Sequence, residues 1–482
     1  MLEKDATIGN VKHEVLHKVA KLAYAGELEE KQDQIPYEMI PGPQAHFRCC
    51  IYKEREIIRQ RVQVAQGKAP SPKQNADNII QIIPSACEGC PITRFVVTDN
   101  CQKCMMKKCQ QACNFKAITM LRDRAYIDPQ HCKECGKCSE ACPYNAIADL
   151  MRPCRRSCPV DAISMDENNV VKIDEEKCIK CGSCIKNCPF GAIEARSSMV
   201  DVIEEINKGK RVYAMVAPAG EGQFGSHVSM GVLAEAVKEL GFHDMIEVAL
   251  GADYVADAES SEWLEAHKEG KKMTTSCCPA FVNMIKTHFP QLVDNISTTV
   301  SPMAATARYI REIDKDAITV FVGPCVAKKD EIRQNEDTAD YVLTFDELYS
   351  MFKAKGIQLA TFGGHLQQGS IYGKNFASAG GVTKAVVESL KEKEENIDFK
   401  VKECSGAADC KKALMLLKVN RLPEDFIEGM ACQGGCVNGP GNVKSELGFK
   451  KDRQTLLAAA DDRTIQSTMD SNKDYNFSLH RK

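Results

Sequence analysis

The chain has 482 residues, with 63 Lys and Arg against 66 Asp and Glu and a formal net charge of −3. That balance excludes nucleic acid and anionic membrane as the main partner, while the length allows two to four domains, each with its own core. The outlier is cysteine, at 25 residues: Met1 is followed by Leu2-Glu3-Lys4-Asp5 with no apolar signal core, so these read as metal thiolates in a reducing cytoplasm rather than a disulfide scaffold. No apolar run is long enough to span a membrane.

Residues 1–84 predict a helical N-terminal segment. Val11, Val15, Leu16, Val19 and Leu22 share one stripe, and a basic helical run extends from Ile51 to Val64. The adjacent pair Cys49-Cys50 has no partner at metal-ligand spacing and reads as structural or spare thiols.

Residues 85–195 are organised by cysteine spacing. Cys132, Cys135, Cys138 and Cys142-Pro143 form a bacterial ferredoxin run, and Cys178, Cys181, Cys184 and Cys188-Pro189 repeat it. Each run is followed by an Ala-Ile pair, Ala146-Ile147 and Ala192-Ile193. Cys101, Cys104, Cys109 and Cys113 are a variant with a wider second gap and Asn114 in place of the proline. Iron–sulfur clusters are the reading, zinc the alternative.

In two-cluster ferredoxins the fourth cysteine of each run ligates the other run's cluster. One [4Fe–4S] set is then Cys101, Cys104, Cys109 and Cys142, and a second is Cys132, Cys135, Cys138 and Cys113. The last run takes Cys158-Pro159 as the fourth ligand of Cys178, Cys181 and Cys184, leaving Cys87, Cys90, Cys154 and Cys188 as a fourth set. One module, about residues 99–145, is thereby expected to be inserted in another, giving four accessory clusters; the alternative is three, with Cys87 and Cys90 as bystanders. Lys103, Lys107, Lys108, Arg152, Arg155 and Arg156 suggest either a docking face for an acidic electron carrier or a solvated surface.

Residues 196–445 alternate strand and helix. Strands are expected at 212–217, 245–250, 317–322, 341–345 and 399–403, and helices at 228–240, 346–355 and 382–391. This pattern predicts parallel sheets covered by helices, with ligands at the carboxyl ends of strands. Pro218, Cys325 and Cys432 each follow an expected strand and so should share one cleft.

Three motifs bear on that cleft: Thr275-Ser276-Cys277-Cys278-Pro279, Pro324-Cys325-Val326-Ala327-Lys328-Lys329-Asp330-Glu331, and Glu428-Gly429-Met430-Ala431-Cys432 with Cys436 four residues on. Four thiolates, Cys278, Cys325, Cys432 and Cys436, suffice for one more [4Fe–4S] cluster. In identity and order the motifs resemble the signatures of the [FeFe]-hydrogenases, over residues 196 to about 445. The resemblance implies an α/β catalytic domain of two parallel-sheet lobes around a buried H-cluster, preceded by ferredoxin-like α+β modules.

The H-cluster is a [4Fe–4S] cube joined through one cysteine to a di-iron unit with CO, cyanide and a dithiolate bridge. By the resemblance, Cys278, Cys325 and Cys432 hold the cube and Cys436 bridges. Lys328 and the Pro218-Ala219 backbone face the cyanides, Met430 packs near the bridging ligands, and Phe376 joins the apolar wall. Cys277 stays a free thiol and relays protons with Glu259, Ser297 and Glu262. Glu259 and Glu262 stand eight and eleven residues after Gly251, and Ser297 four before Ser301; their alternative reading is exposed helix acids.

The implied activity is reversible H2 formation in the cytoplasm, with ferredoxin or a similar soluble carrier and with maturation proteins that supply the di-iron unit. A low-turnover H2 or redox sensor and a non-enzymatic iron–sulfur assembly protein are the other classes. Three departures from the family pattern mark a less typical branch: Gly323 where Met is usual, Met303 where glutamine is common, and Gly439-Pro440-Gly441 in place of a glycine triplet. Residues 446–482 resemble a terminal wrapping segment, and Cys404 and Cys410 read as structural.

Overall fold

The computed structural model describes residues 7–91, 93–395, 400–444, 446–472, 475 and 477–481. After residue 196 the chain forms two parallel sheets. The first has four strands in the order Asp244–Glu247, Val212–Val216, Ile318–Val322 and Tyr341–Leu343. Val212–Val216 is buried at every position, as a central strand covered on both faces must be. The second sheet places Phe426–Met430 between Met273–Thr274 and Val401–Ser405. Phe399, expected to open that last strand, lies outside the described residues, as do residues 1–6 of the expected N-terminal helical segment.

The strand expected at 245–250 stops at Glu247, because the helix Val248–Lys268 starts at the next residue. Its apolar opening looks like strand on its own, but Ala252, Val255, Ala256 and Trp263 continue a buried helical face. The helix lies directly on the helix Pro302–Ile313. A Cβ on Gly251 would sit 2.2 Å from Thr306 Oγ1 and 2.5 Å from the Pro302 carbonyl oxygen, so only glycine permits this approach.

The N-terminal segment does contain helices, chiefly Ile8–Ala25 and Ile51–Ala65. It is not helical to residue 84, however: the buried β-branched run at Ile80–Ile82 forms a strand antiparallel to Ile193–Ala195. That pair encloses the rest of the cysteine-rich region. Inside it, Phe95–Val97 pairs with Ile147–Asp149 and Ile118–Met120 with Ala125–Ile127, while Ile163–Met165 pairs with Val171–Ile173. The inner strand pairs thus span 95–149, wider than the expected 99–145, and the outer set begins at residue 80 rather than 85.

Ion pairs, one half-buried and one buried, join these layers. Lys12 reaches Asp346 at 2.6 Å, tying the first helix to the helix Phe345–Lys355. Arg61, 3% exposed, pairs with Glu194 and donates to the Gly191 carbonyl at 2.7 Å. At the other end the chain folds back: Val300 N–H donates to the Leu479 carbonyl and Arg481 N–H to the Thr298 carbonyl, each at 2.8 Å. Among the described residues no helix is long and apolar enough to cross a membrane.

Removing one partner of a buried pair strands the other charge, at a cost of about 3 to 5 kcal/mol. Arg61→Ala is therefore expected to destabilise the chain by roughly that amount in guanidinium unfolding, and the double change Arg61→Met with Glu194→Met to recover most of it. A loss below about 1 kcal/mol for Arg61→Ala would show that the pair does not hold the two regions together.

Candidate metal centre

Three strand ends and one strand-to-helix turn converge on a cavity of ≈ 80 Å³. Pro218 and Ala219 follow the strand Val212–Val216, Cys325 follows Ile318–Val322, and Cys432 and Cys436 follow Phe426–Met430. Cys277 and Cys278 follow Met273–Thr274, with Cys278 as N-cap and Pro279 as first residue of the helix Pro279–His288. Proline suits that position because its missing N–H would have no partner there.

The first and third motifs are locked together by hydrogen bonds. Thr275 N–H donates to the Ile427 carbonyl at 2.9 Å, Gly429 N–H donates to Thr275 Oγ1 at 3.1 Å, and Ser276 Oγ donates to the Thr299 carbonyl. Glu428 is fully buried and accepts the N–H groups of Gly380 and Thr383, both at 2.8 Å, capping the helix Gly381–Glu392. The polar residues flanking the cysteines thus do structural work.

Cys278, Cys325, Cys432 and Cys436 are mutual neighbours. Burial, then Cys278, pushes the Cys325 thiol up to about 11. Burial likewise raises Cys436, next to Cys325 and Cys278, and raises Cys432 well above the thiol range, next to Cys436, Cys325 and Cys278. Three sulfurs that resist ionisation so strongly can become thiolates together only around a compensating positive charge, which is the chemistry of an iron–sulfur cube. The donor set therefore fits the group that the motifs imply.

Ala217, Pro218, Ala219, Val248, Ala252, Phe376 and Met430 make the cavity almost wholly apolar, and Cys277, Cys278, Cys325, Cys436 and Lys328 face into it. Lys328 Nζ is 2.6 Å from Glu331 Oε2 and 3.5 Å from the Cys277 carbonyl oxygen. Phe321 stands where the family's usual Met would reach: a Cβ on Gly323 would lie 2.6 Å from the Phe321 ring. The small residue makes room for an aromatic one. Met303 lies in the apolar core instead. Val248, Ala252 and Phe321 escape sequence reasoning, although the helical spacing of Val248, Ala252 and Glu259 was available to find the first two.

Cys277 is buried next to Glu259, and burial pushes its thiol well up. Glu259 is 0% exposed, with the Ser297 hydroxyl and the Ser276 backbone N–H as its hydrogen-bonding neighbours. Burial, then the nearby Glu262, pushes its carboxyl up to about 8. Ser297 Oγ donates to Glu262 Oε2 at 2.7 Å, and Glu262 also accepts the Thr298 N–H at 2.7 Å. Thiol, two acids and hydroxyl thus lie together between cavity and surface.

The cysteines of residues 85–195 fall into four neighbourhoods, while Cys49 and Cys50 are exposed and Cys404 and Cys410 are buried beside each other. Cys109 lies beside Cys142, Cys101 and Cys104, and Cys138 beside Cys132 and Cys113. Cys154 lies beside Cys188, Cys87 and Cys90, and Cys184 beside Cys181, Cys178 and Cys158. Cys135 is exposed, and only its spacing assigns it. In all four modules the last cysteine accepts the N–H of the alanine four residues on: Ala117 to Cys113, Ala146 to Cys142, Ala162 to Cys158 and Ala192 to Cys188, at 3.2–3.4 Å. Such bonds tune cluster potentials. Cys181 neighbours Cys278 and Cys184 neighbours Cys154, so these sets form a chain leading to the cavity.

The suggested docking residues divide. Arg152 is buried with Nη1 3.8 Å from Cys87 Sγ, Arg155 pairs with Glu134 and Arg156 with Asp149. Lys103, Lys107 and Lys108 are exposed beside Met105 and Met106, which are 97% and 60% exposed.

Residues 210–440 match the family described as iron only hydrogenase large subunit, C-terminal domain. Residues 147–199 match an LdpA Fe-S cluster-binding domain and residues 125–148 a 4Fe-4S binding domain. The chain is 30% identical to iron hydrogenase 1 of Clostridium pasteurianum over 401 residues, 70% of this chain and 69% of that one. It is 31% identical to the periplasmic [Fe] hydrogenase large subunit of Nitratidesulfovibrio vulgaris over 65% of this chain and 85% of that one. A cytosolic Fe-S cluster assembly factor of Xenopus tropicalis is 24% identical over 45% of this chain and 57% of its own. A solved [FeFe]-hydrogenase HydA1 from Chlamydomonas reinhardtii superposes with a TM-score of 0.47 at 22% identity, over 57% of this chain and 93% of that one. Fold, cysteine sets and motifs define an iron–sulfur protein of the oxidoreductase class. Within that class, the chain belongs to the iron-only, or [FeFe]-, hydrogenase family.

The raised carboxyl of Glu259 has a consequence for stability. Unfolded, it loses its proton near 4.5; folded, near 8. Between those values the native state holds the extra proton, so raising the pH weakens the fold by about 1.4 kcal/mol per unit, and above 8 the loss is complete. Glu259→Gln should remove this term. The stability of the variant minus that of the unsubstituted protein should then climb across about pH 5 to about pH 8 at up to that slope in urea unfolding, and a flat difference would contradict it.

Proposed function

We propose that this chain is a hydrogenase that interconverts two protons and two electrons with H2 at an H-cluster. In this reading Cys278, Cys325 and Cys432 hold a [4Fe–4S] cube, and Cys436 joins it to a di-iron unit in the adjacent cavity. The observation that carries the reading is the apolar cavity itself: it adjoins three of the four thiols and is bounded by Cys277 and Lys328. A protein that only carried a cube would have no use for this space.

When bound, the di-iron unit supplies the redox-active metal at which protons are reduced. The chain's own residues provide the rest. Lys328 Nζ offers charge-assisted hydrogen bonds to an anionic ligand, and the backbone at Pro218 and Ala219 faces the opposite side. Phe376 and Met430 keep water out. Protons move between Cys277 Sγ and the Glu259 carboxyl, which is neutral near pH 7 and so can donate, and then through Ser297 Oγ to Glu262 at the half-buried end.

Electrons arrive through four accessory [4Fe–4S] clusters. The nested strand pairs support one ferredoxin-like module inserted in another, and the residues after 446 act as a terminal wrap. The partner is a small acidic carrier of the ferredoxin type, received at Lys103, Lys107 and Lys108. Of the sixteen large apolar side chains exposed among the described residues, eight lie between 95 and 150, which gives that region the apolar centre an interface needs.

The similarity to iron–sulfur assembly factors favours a second reading, in which the same thiols hold a cube alone and no H2 is made. Matured full-length protein supplied with reduced ferredoxin is expected to evolve H2, and Cys277→Ala to lower the rate at least about a hundredfold with an unchanged iron content. Activity within a few-fold in that variant would take Cys277 out of the proton path. No H2 from fully iron-loaded, matured, unsubstituted protein would favour the assembly reading.

A further inference from the structure

We infer that Lys374 is a positioning residue that clamps together three segments of the cavity wall. Its ammonium is 2.6 Å from Glu221 Oε1 and 2.9 Å from Glu247 Oε1. All three side chains are deeply buried, at 6%, 4% and 2% exposed. Glu221 lies two residues after Ala219, Glu247 immediately precedes Val248, and Lys374 lies two residues before Phe376. Ala219, Val248 and Phe376 all line the cavity. One cation thus bridges two anions, with each of the three charges anchored next to a different wall residue.

The surroundings make the clamp rigid. Lys374 sits on the short helix Ile371–Asn375, whose cap Ser370 donates from Oγ and from its backbone N–H to Asp253 at 2.6 and 2.7 Å. Glu247 is held again by Gln368: its backbone N–H donates to Gln368 Oε1 at 2.7 Å, and its Oε2 accepts the Gln368 N–H at 2.6 Å. Arg453, on the helix Glu446–Leu457, donates to the Lys374 carbonyl at 2.9 Å. A Cβ on Gly222 would lie 2.7 Å from the Arg453 backbone nitrogen, so this helix presses directly on the loop that carries Glu221.

Burial works against the Lys374 charge, but Glu247 and Glu221 outweigh it and hold the ammonium above its ordinary value. Without that cation the two buried carboxylates lose their shared partner; one would take up a proton, and nothing would then tie together the segments that bear them. The loosening would reach Ala219, Val248 and Phe376 before Cys278 and Cys325, which are carried by other strand ends, whereas the Cys436 segment is bonded to Ala377 and Ala379. The clamp is thus specific to the apolar end of the cavity. Its role there rests on the proposed di-iron unit, whereas the clamp itself does not.

Lys374→Met in the full chain separates these points. Hydrogen–deuterium exchange of the protein holding only its [4Fe–4S] clusters is expected to rise together in residues 217–222 and 371–377 and to stay unchanged in 318–322, with iron content unaltered. After maturation, the CO and CN infrared bands of the variant should shift or broaden and its H2 rate fall at least about tenfold. Adding Glu221→Gln and Glu247→Gln to remove the stranded charges should restore the bands toward their original positions. If Lys374→Met does not fold, Glu221→Gln alone, which keeps the shape, should still raise exchange in 217–222. Unchanged exchange in both segments, or bands coincident with those of the unsubstituted protein, would overturn the inference. If the unsubstituted protein shows no CO or CN bands, the hydrogenase reading fails and exchange alone decides the clamp.

Discussion

Four thiols buried beside one another are the constraint on which the catalytic region depends. Burial, with the neighbouring thiols, pushes Cys325 up to about 11 and raises Cys432 and Cys436 as well, so without a cluster these sulfurs stay neutral where a cluster needs thiolate. Metal binding and the formation of this site are therefore coupled, since the cluster's charge offsets a repulsion the fold cannot relieve. Two parallel sheets make the arrangement possible. Their strands end at one cleft, and residues distant in sequence arrive there on rigid elements.

Around that core the molecule divides into two sides with different chemistry. On one, successive cysteine sets run through Cys154, Cys184 and Cys181 to Cys278, each set supplied with backbone N–H groups aimed at sulfur. On the other, Cys277, Glu259, Ser297 and Glu262 are ionisable or hydroxylic and carry no metal in the proposed function. The boundary falls between two adjacent residues. Cys278 caps the helix beside the other three thiols, while Cys277 lies next to the buried Glu259.

What the sequence made legible follows from how local the physics is. Cluster ligands obey short fixed spacings, so the sets around Cys109, Cys138, Cys154 and Cys184 can be written down from the chain alone, and the same cysteines are neighbours in the structure. Strand-and-helix alternation likewise exposed the parallel sheets. The start of the helix Val248–Lys268 reads as strand because a short apolar opening has no period of its own. Arg152, Arg155 and Arg156 looked like a free basic face because nothing in a sequence reveals that Cys87, Glu134 and Asp149 already engage them. The Lys374 cluster was invisible for the same reason, its partners being 153 and 127 residues away.

The central claim is that the apolar space beside the four thiols holds a di-iron unit and not merely solvent or side chains. Infrared spectroscopy of the matured, unsubstituted protein tests it most directly, because CO and CN stretches fall where protein absorbs little. Sharp CO and CN bands that perturb on exposure to H2 are the predicted result. A fully iron-loaded protein with no such bands would contradict the account and leave a cube without a partner.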